Sequence, residues 1–238
     1  ARGVGLILKR WMKKNRLPDA IVIENPQLAA GHLGATAMSE IDHPKFEFKR
    51  VLSDLFELIK QMGLERERLP IIVAGGLADS SKVREAIEDW GASGVQIGSA
   101  FAVTHEGDAD ERFKQHLLNS TAEDAVEFMS VAGLPARGVR SPFLTQYLKR
   151  EQKLQAHALA DPRRCVQGMN CLSVCGLRDG IGSIGQFCID QKLSAALHGD
   201  VRKGLFFKGN APLPFANRMV SVRETIADLM KDLRWVTA

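Results

Sequence analysis

The stretch over residues 69–101, LPIIVAGGLADSSKVREAIEDWGASGVQIGSAF, restricts the possible folds more than any other part of the chain. Ile71-Ile72-Val73 and Gly94-Val95-Gln96-Ile97 are short β-branched runs flanking a segment with helical spacing, so the stretch reads as strand, turn, helix, strand, turn. Each strand ends in a small-residue turn, Gly75-Gly76 and then Gly98-Ser99. A crossover helix between parallel strands brings both turns to the carboxyl edge of one sheet, where α/β proteins bind ligands. Glycine there lets backbone N–H groups approach an anion closely, and the helix that follows presents its positive end. Glycines closing two tight turns are the simpler reading. The recurrence of the turn one βα unit later is what points to a phosphate cradle.

The upstream pattern continues the alternation. Residues 5–15 read as an amphipathic helix that ends at Leu17-Pro18, because the residue before proline avoids helical geometry. Ala20-Ile21-Val22-Ile23 is a buried-type strand running into ENPQLAAGHLG, a segment that ends in small residues and carries His32. Val51, Leu52, Leu55, Leu58, Ile59 and Met62 recur at helical spacing and predict a helix over 46–62, closed by Gly63. Three helix–strand units give an α/β fold. Two glycine turns one unit apart match the last two strands of a (β/α)8 barrel. Only three of eight strands are legible and the chain opens at Ala1, so residues 1–140 are expected to be the C-terminal portion of such a barrel, carrying its last three strands. Residues 141–238 are expected to form a mostly helical, cysteine-containing extension. Between them, helices are expected over 110–118 and over 121–129, the latter capped by Thr121, followed by a rigid turn over Gly133-Leu134-Pro135-Ala136-Arg137. Further helices are expected over 144–159 and near the end, where Val222, Ile226, Leu229 and Met230 share a face.

Composition narrows the class. No apolar run approaches the ~20 residues that span a bilayer and no signal peptide is visible, so a cytoplasmic protein with no membrane partner is expected. The formal charge is +4, but Arg2, Lys9, Arg10, Lys13, Lys14 and Arg16 all precede the first acid, Asp19. The basicity is therefore local, and without a recognition motif it reads as a solvated helix face, not a nucleic-acid surface. Gly180-Ile181-Gly182-Ser183-Ile184-Gly185 matches GxGxxG, but no strand precedes it, so it is a loop and not a dinucleotide fingerprint. His43, His105, His116, His157 and His198 lack ligand spacing and read as surface or helix-end residues.

IENPQLAAGHLG, the PIIVAGGLADSSKVREAIEDWGASGVQIGSAFAVTHE segment and VAGLPARGV (131–139), in that order, resemble the nitronate monooxygenase (2-nitropropane dioxygenase) family of flavin barrels, with a weaker match in LFFKGNAPLPFANR. The resemblance implies FMN, its phosphate on the backbone of Gly75, Gly76, Gly98 and Ser99 and its neighbourhood shared by Gly31. It implies that His32 sits beside the flavin and acts on the acidic carbon or nitro group of a small-molecule substrate, and that the loop carrying Arg137 approaches the substrate side. Arg137 suits either an anionic substrate or a tie to a helix end. The leading activity is oxidation of nitronate-like carbon acids with O2. The alternatives are NAD(P)H-dependent reduction of an enoyl thioester or quinone, and a non-catalytic partial barrel or partner subunit.

Cys165, Cys171, Cys175 and Cys188 form a C-x5-C-x3-C-x12-C run. Four thiols so close together in a reducing compartment are a ligand supply for an iron–sulfur cluster or zinc, or else small buried hydrophobes. The last three spacings resemble the cluster loop of flavin barrels of the dienoyl-CoA reductase and trimethylamine dehydrogenase type. Substrate, electron donor and oligomeric state are not encoded in any motif of the chain.

Overall fold

The computed structural model describes residues 2–165, 168 and 171–234. Strands β1 (Ile21–Glu24), β3 (Ile71–Ala74) and β4 (Gly94–Gln96) form a parallel sheet in the order β1-β3-β4, with Ile21 opposite Ile71 and Val73 opposite Val95. Helices α1 (Arg2–Met12) and α2 (Phe48–Gln61) pack on one face. Phe48, Leu52, Leu55 and Ile59 recur at the spacing of one helical face and bury against Ile71, Val73 and Leu8, so α2 is held chiefly by apolar burial. Gly63, at φ +70°, ends this helical segment as the sequence pattern requires. Between β3 and β4 the crossover is α3 (Ser80–Arg84) running into a π-helical turn, Glu85–Asp89. Asp79 caps α3, its carboxylate accepting from the Ser81 and Lys82 N–H groups. The short α4 (Ser99–Ala102) and then α5 (Glu111–Leu118) follow β4.

A second sheet replaces two expected features. Thr121 caps as anticipated, with a capping box to Asp124, but only a single 3₁₀ turn, Ala122–Asp124, follows. Ala125–Met129 is strand β5, not helix, and the expected rigid turn is mostly strand β6 (Pro135–Val139), the two paired antiparallel. The local cap signal is genuine. It is overridden because five residues here pair across a hairpin, with Phe128 buried and Glu127 facing Arg137. The hairpin closes with the Ser130 N–H donating to the Leu134 carbonyl and Gly133 at φ +76°, a conformation glycine adopts without steric cost. β2 (Gly31–His32) pairs with the other edge of β6, giving the order β2-β6-β5.

Helices α6 (Pro142–Ala156), α7 (Gly176–Asp179), α8 (Ile189–Leu197) and α9 (Val222–Met230) complete the described elements. Residues on either side of position 140 share cores: Phe187 and Leu205 pack with Phe128, Ala136 and Leu144, and the Val139 N–H donates to the Phe206 carbonyl. On α9, Thr225 and Leu229 are buried, and Ile226, Leu229 and Met230, expected on one face, line one cavity with Val83 and Ile87. Among the described residues no helix is long and apolar enough to cross a membrane.

Candidate functional site

The two glycine turns meet. Gly75 and Gly76 after β3, and Gly98 and Ser99 after β4, line one cavity of about 180 Å³ together with Glu24 at the end of β1. The turns are built for close backbone approach. Gly75 and Gly76 have φ of +102° and +72°, and a Cβ on Gly75 would stand 3.3 Å from the Ala29 nitrogen and the Asn25 carbonyl oxygen. A Cβ on Gly98 would meet nothing within 4 Å, so the space beside that turn is open. The lining contains no lysine or arginine. An anion seated here would therefore be held by backbone N–H groups, as in the glycine-rich cradles that bind phosphate. At about 180 Å³ the cavity is smaller than the roughly 300–1,000 Å³ that encloses a whole drug-sized ligand, and it suits the phosphate end of one.

Two distant segments supply the remaining walls. The loop over 25–30 is folded on itself by Asn25, whose side-chain oxygen accepts the Gln27 N–H at 2.9 Å and whose carbonyl accepts from Leu28 and Ala29. A C-terminal loop brings Gly209, Ala211, Pro212 and Leu213 over the cavity. The Gly209 N–H donates to Ser99 Oγ at 3.1 Å, and the Asn210 N–H donates to the Leu28 carbonyl at 3.2 Å. A Cβ at Gly209 would come within 2.8 Å of that carbonyl oxygen, so the approach requires glycine. Sequence reasoning had only the Gly/Pro-rich KGNAPLP run as a signal for this wall.

His32 stands next to the cavity wall but not in its lining, which includes Ala29 and Ala30. Gly31 is likewise outside the lining; its φ of +66° sets the turn into β2, and a Cβ there would lie 3.8 Å from the Phe207 ring. His32 Nε2 is 2.9 Å from Ser130 Oγ, a partner 98 residues away with no sequence signal. Ser130 Oγ also accepts from the Ala132 and Leu134 N–H groups at 3.2 and 3.4 Å. With its lone pairs so used, the hydroxyl proton points at Nε2, which assigns the neutral imidazole proton to Nδ1. Burial pushes the His32 pKa below its usual value, favouring this neutral form.

Arg137, expected at the substrate, is 2% exposed. Its guanidinium donates to the Pro26 and Ala29 carbonyls at 3.0 and 2.8 Å and pairs with Glu127. The tie it makes is not to a helix end: it holds the loop over 25–30 against the hairpin.

The expected cysteine centre is not assembled. No disulfide joins the four cysteines, and among the described residues no three His, Cys, Asp or Glu side chains come together as metal ligands. Two of the four stand at helix starts instead. Cys175 caps α7, its sulfur accepting the Arg178 N–H at 3.5 Å, Cys188 occupies the cap position of α8, and Cys171 is exposed. Gly180, at φ +66°, ends α7, which accounts for the first glycine of the GxGxxG run without a dinucleotide. His116 stands in the last turn of α5, a helix end as expected, with its ring half-buried and tilted against Phe206 at a centroid distance of 4.4 Å.

Comparison with known proteins places this arrangement. The chain is 29% identical over 151 residues to a probable nitronate monooxygenase of Bacillus subtilis (strain 168), a match covering 63% of this chain and 39% of that protein. It is 30% identical over 129 residues to a probable nitronate monooxygenase of Staphylococcus saprophyticus, covering 52% of this chain and 33% of the relative. The chain thus spans between a third and two fifths of the length of these relatives. Among solved structures, FabK from Thermotoga maritima superposes with a TM-score of 0.60 at 21% identity, over 95% of this chain and 57% of that one. Nitroalkane oxidase from Streptomyces ansochromogenes gives 0.55 at 20% identity, over 90% and 51%. These two share the α/β fold. The model of the family described as nitronate monooxygenase matches residues 2–232, and the chain belongs to that family.

Proposed function

We propose that this chain provides the phosphate-holding and histidine-bearing part of an FMN-dependent oxidoreductase that oxidises alkyl nitronates or related carbon acids with O2. The observation that carries this reading is the convergence of Gly75-Gly76 and Gly98-Ser99 on a single cavity free of side-chain cations. Those four residues hold the FMN phosphate through their backbone, and the flavin, when bound, supplies the redox chemistry. His32, neutral and carrying its proton on Nδ1, offers that N–H to the negative charge of a nitronate or nitro oxygen. Ser130 positions it, and Arg137 keeps the adjoining loop over 25–30 in place. The parallel order β1-β3-β4 and the exposure of Val22, 48% on the face away from α1 and α2, support the reading of residues 1–140 as the last three strands of a (β/α)8 barrel.

The test is reconstitution of the protein in the presence of FMN. A bound flavin spectrum and nitronate-dependent O2 consumption are the expected results. Flavin binding with oxidation of a nicotinamide nucleotide and no nitronate turnover would reassign the chemistry to reduction of an enoyl thioester or quinone. Failure to bind FMN would overturn the reading altogether.

A further inference from the structure

The cavity at the glycine turns has one feature at odds with an anion site. Glu24 lines it, and among the described residues it is the single charged side chain there. The register of the parallel sheet places it. Glu24 on β1 pairs with Ala74 on β3, and Ala74 pairs with Gln96 on β4, so the three stand in one row across the sheet. Paired residues of neighbouring strands project from the same face, and all three reach the cavity. Between the two longer side chains Ala74 contributes only a methyl group, and Gly75, the next residue, opens the first glycine turn. The Glu24 carboxyl is thus fixed at the strand end beside the backbone that would receive a phosphate.

No countercharge accompanies that carboxyl. The neighbouring strands present Ala74 and Gln96 to the cavity, the glycine turns add the Ser99 hydroxyl, and the loops over 25–30 and 209–213 line it with apolar and glycine residues alone. Among the described residues no hydrogen bond or charged neighbour acts on the Glu24 side chain. Part of it stays exposed, yet desolvation by the surrounding walls raises its pKa above the ordinary carboxylate value. A phosphate monoester carries nearly two negative charges at neutral pH. Placed against an ionised carboxylate with no cation between them, it meets strong like-charge repulsion, and two acids in that position relieve it by sharing a proton.

We propose that Glu24 stands in the filled cavity as the neutral acid, so that a phosphate monoester and one proton bind together, the carboxyl O–H donating to a phosphate oxygen. The proton is taken from solvent and returned when the ligand leaves, and the cavity therefore holds its anion less tightly as pH rises. This inference rests on the reading of the cavity as a phosphate site, and two probes, FMN and glycerol 3-phosphate, let it fail separately from the flavin assignment. Isothermal titration calorimetry of the full chain and of Glu24→Gln is run from pH 7 to 8.5, where a phosphate monoester, with its second pKa at about 6, stays doubly ionised. In wild type the dissociation constant for FMN rises up to about tenfold per pH unit, as uptake of one proton requires, and buffers of different ionisation enthalpy count about one proton taken up. Glu24→Gln keeps the shape and a hydrogen-bond donor but cannot titrate. Its affinity is flat over the range, it takes up no proton, and at the upper end of the range it binds about tenfold tighter than wild type. Glycerol 3-phosphate shows the same contrast between the two proteins; if it alone binds, the flavin assignment falls and this inference stands. Three results overturn the inference: an equal pH slope in the two proteins with either probe; weaker binding by Glu24→Gln at every pH, which makes the carboxylate an acceptor for a ligand hydroxyl; or no binding of either probe by wild-type and Glu24→Gln proteins whose circular dichroism is native.

Discussion

At the scale of single residues, His32 illustrates how a side chain's chemistry is set by neighbours that are remote in sequence. Its proton is assigned to Nδ1 because Ser130 offers its hydroxyl to Nε2. Replacing His32 with Asn should leave flavin bound and lower nitronate turnover by about 10²–10⁴-fold, the range for loss of a positioned proton-transfer or hydrogen-bonding group. Ser130→Ala should also retain flavin, but here the diagnostic is the pH profile of turnover. Freed of its tautomer constraint, His32 should protonate in a different range and shift the acidic limb, a change that a merely structural serine would not cause. The buried histidines also couple stability to pH. Burial lowers the pKa of both His32 and His116 from the ordinary 6.5. Below about pH 6.5 the unfolded chain therefore takes up protons that the folded chain refuses, so this part of the stability is complete above that pH and is lost as pH falls toward the depressed folded values. Thermal denaturation from pH 8 to 5 should show Tm falling through this window, and His116→Gln should flatten the fall.

At the scale of elements, the hairpin β5–β6 is the device that joins the histidine strand to the cavity wall. β6 pairs with β2 on one edge and sends Arg137 into the loop over 25–30, where it meets the Pro26 and Ala29 carbonyls. A charged donor to a backbone carbonyl contributes roughly 1.5–3 kcal/mol, and stranding buried acceptors costs more than exposing them. Arg137→Met should lower unfolding stability by about 2–4 kcal/mol in denaturant titrations. It should also weaken FMN, because the loop it ties down lines the phosphate cavity. If Arg137 instead met the substrate, the same substitution would raise KM with stability intact.

At the scale of the whole molecule, the cavity is assembled from three segments far apart in the chain: the loop over 25–30, the glycine turns of residues 75–99 and the loop over 209–213. Gly209→Val, on the last of these, should lose flavin as completely as Gly75→Val does, with far-UV circular dichroism unchanged in both, because a side chain there runs into the Leu28 carbonyl. What was legible in the sequence follows the same division. The span of α2, the strands Ile21–Glu24 and Ile71–Ala74 and the paired glycine turns were readable because apolar period and glycine's access to positive φ are local properties. They determined the α/β class and the position of the two turns that line the cavity. The Ala125–Met129 segment was not readable, since a true helix cap at Thr121 precedes it and only pairing with Pro135–Val139 makes it a strand. The tertiary structure alone decided that Ser130 sets the histidine, that Arg137 holds a loop more than a hundred residues away, that a C-terminal glycine closes the cavity, and that among the described residues the cysteines join no group of metal ligands. Each of these depends on which surfaces the packed elements bring into contact, and a chain's local pattern carries no record of contacts between residues so far apart.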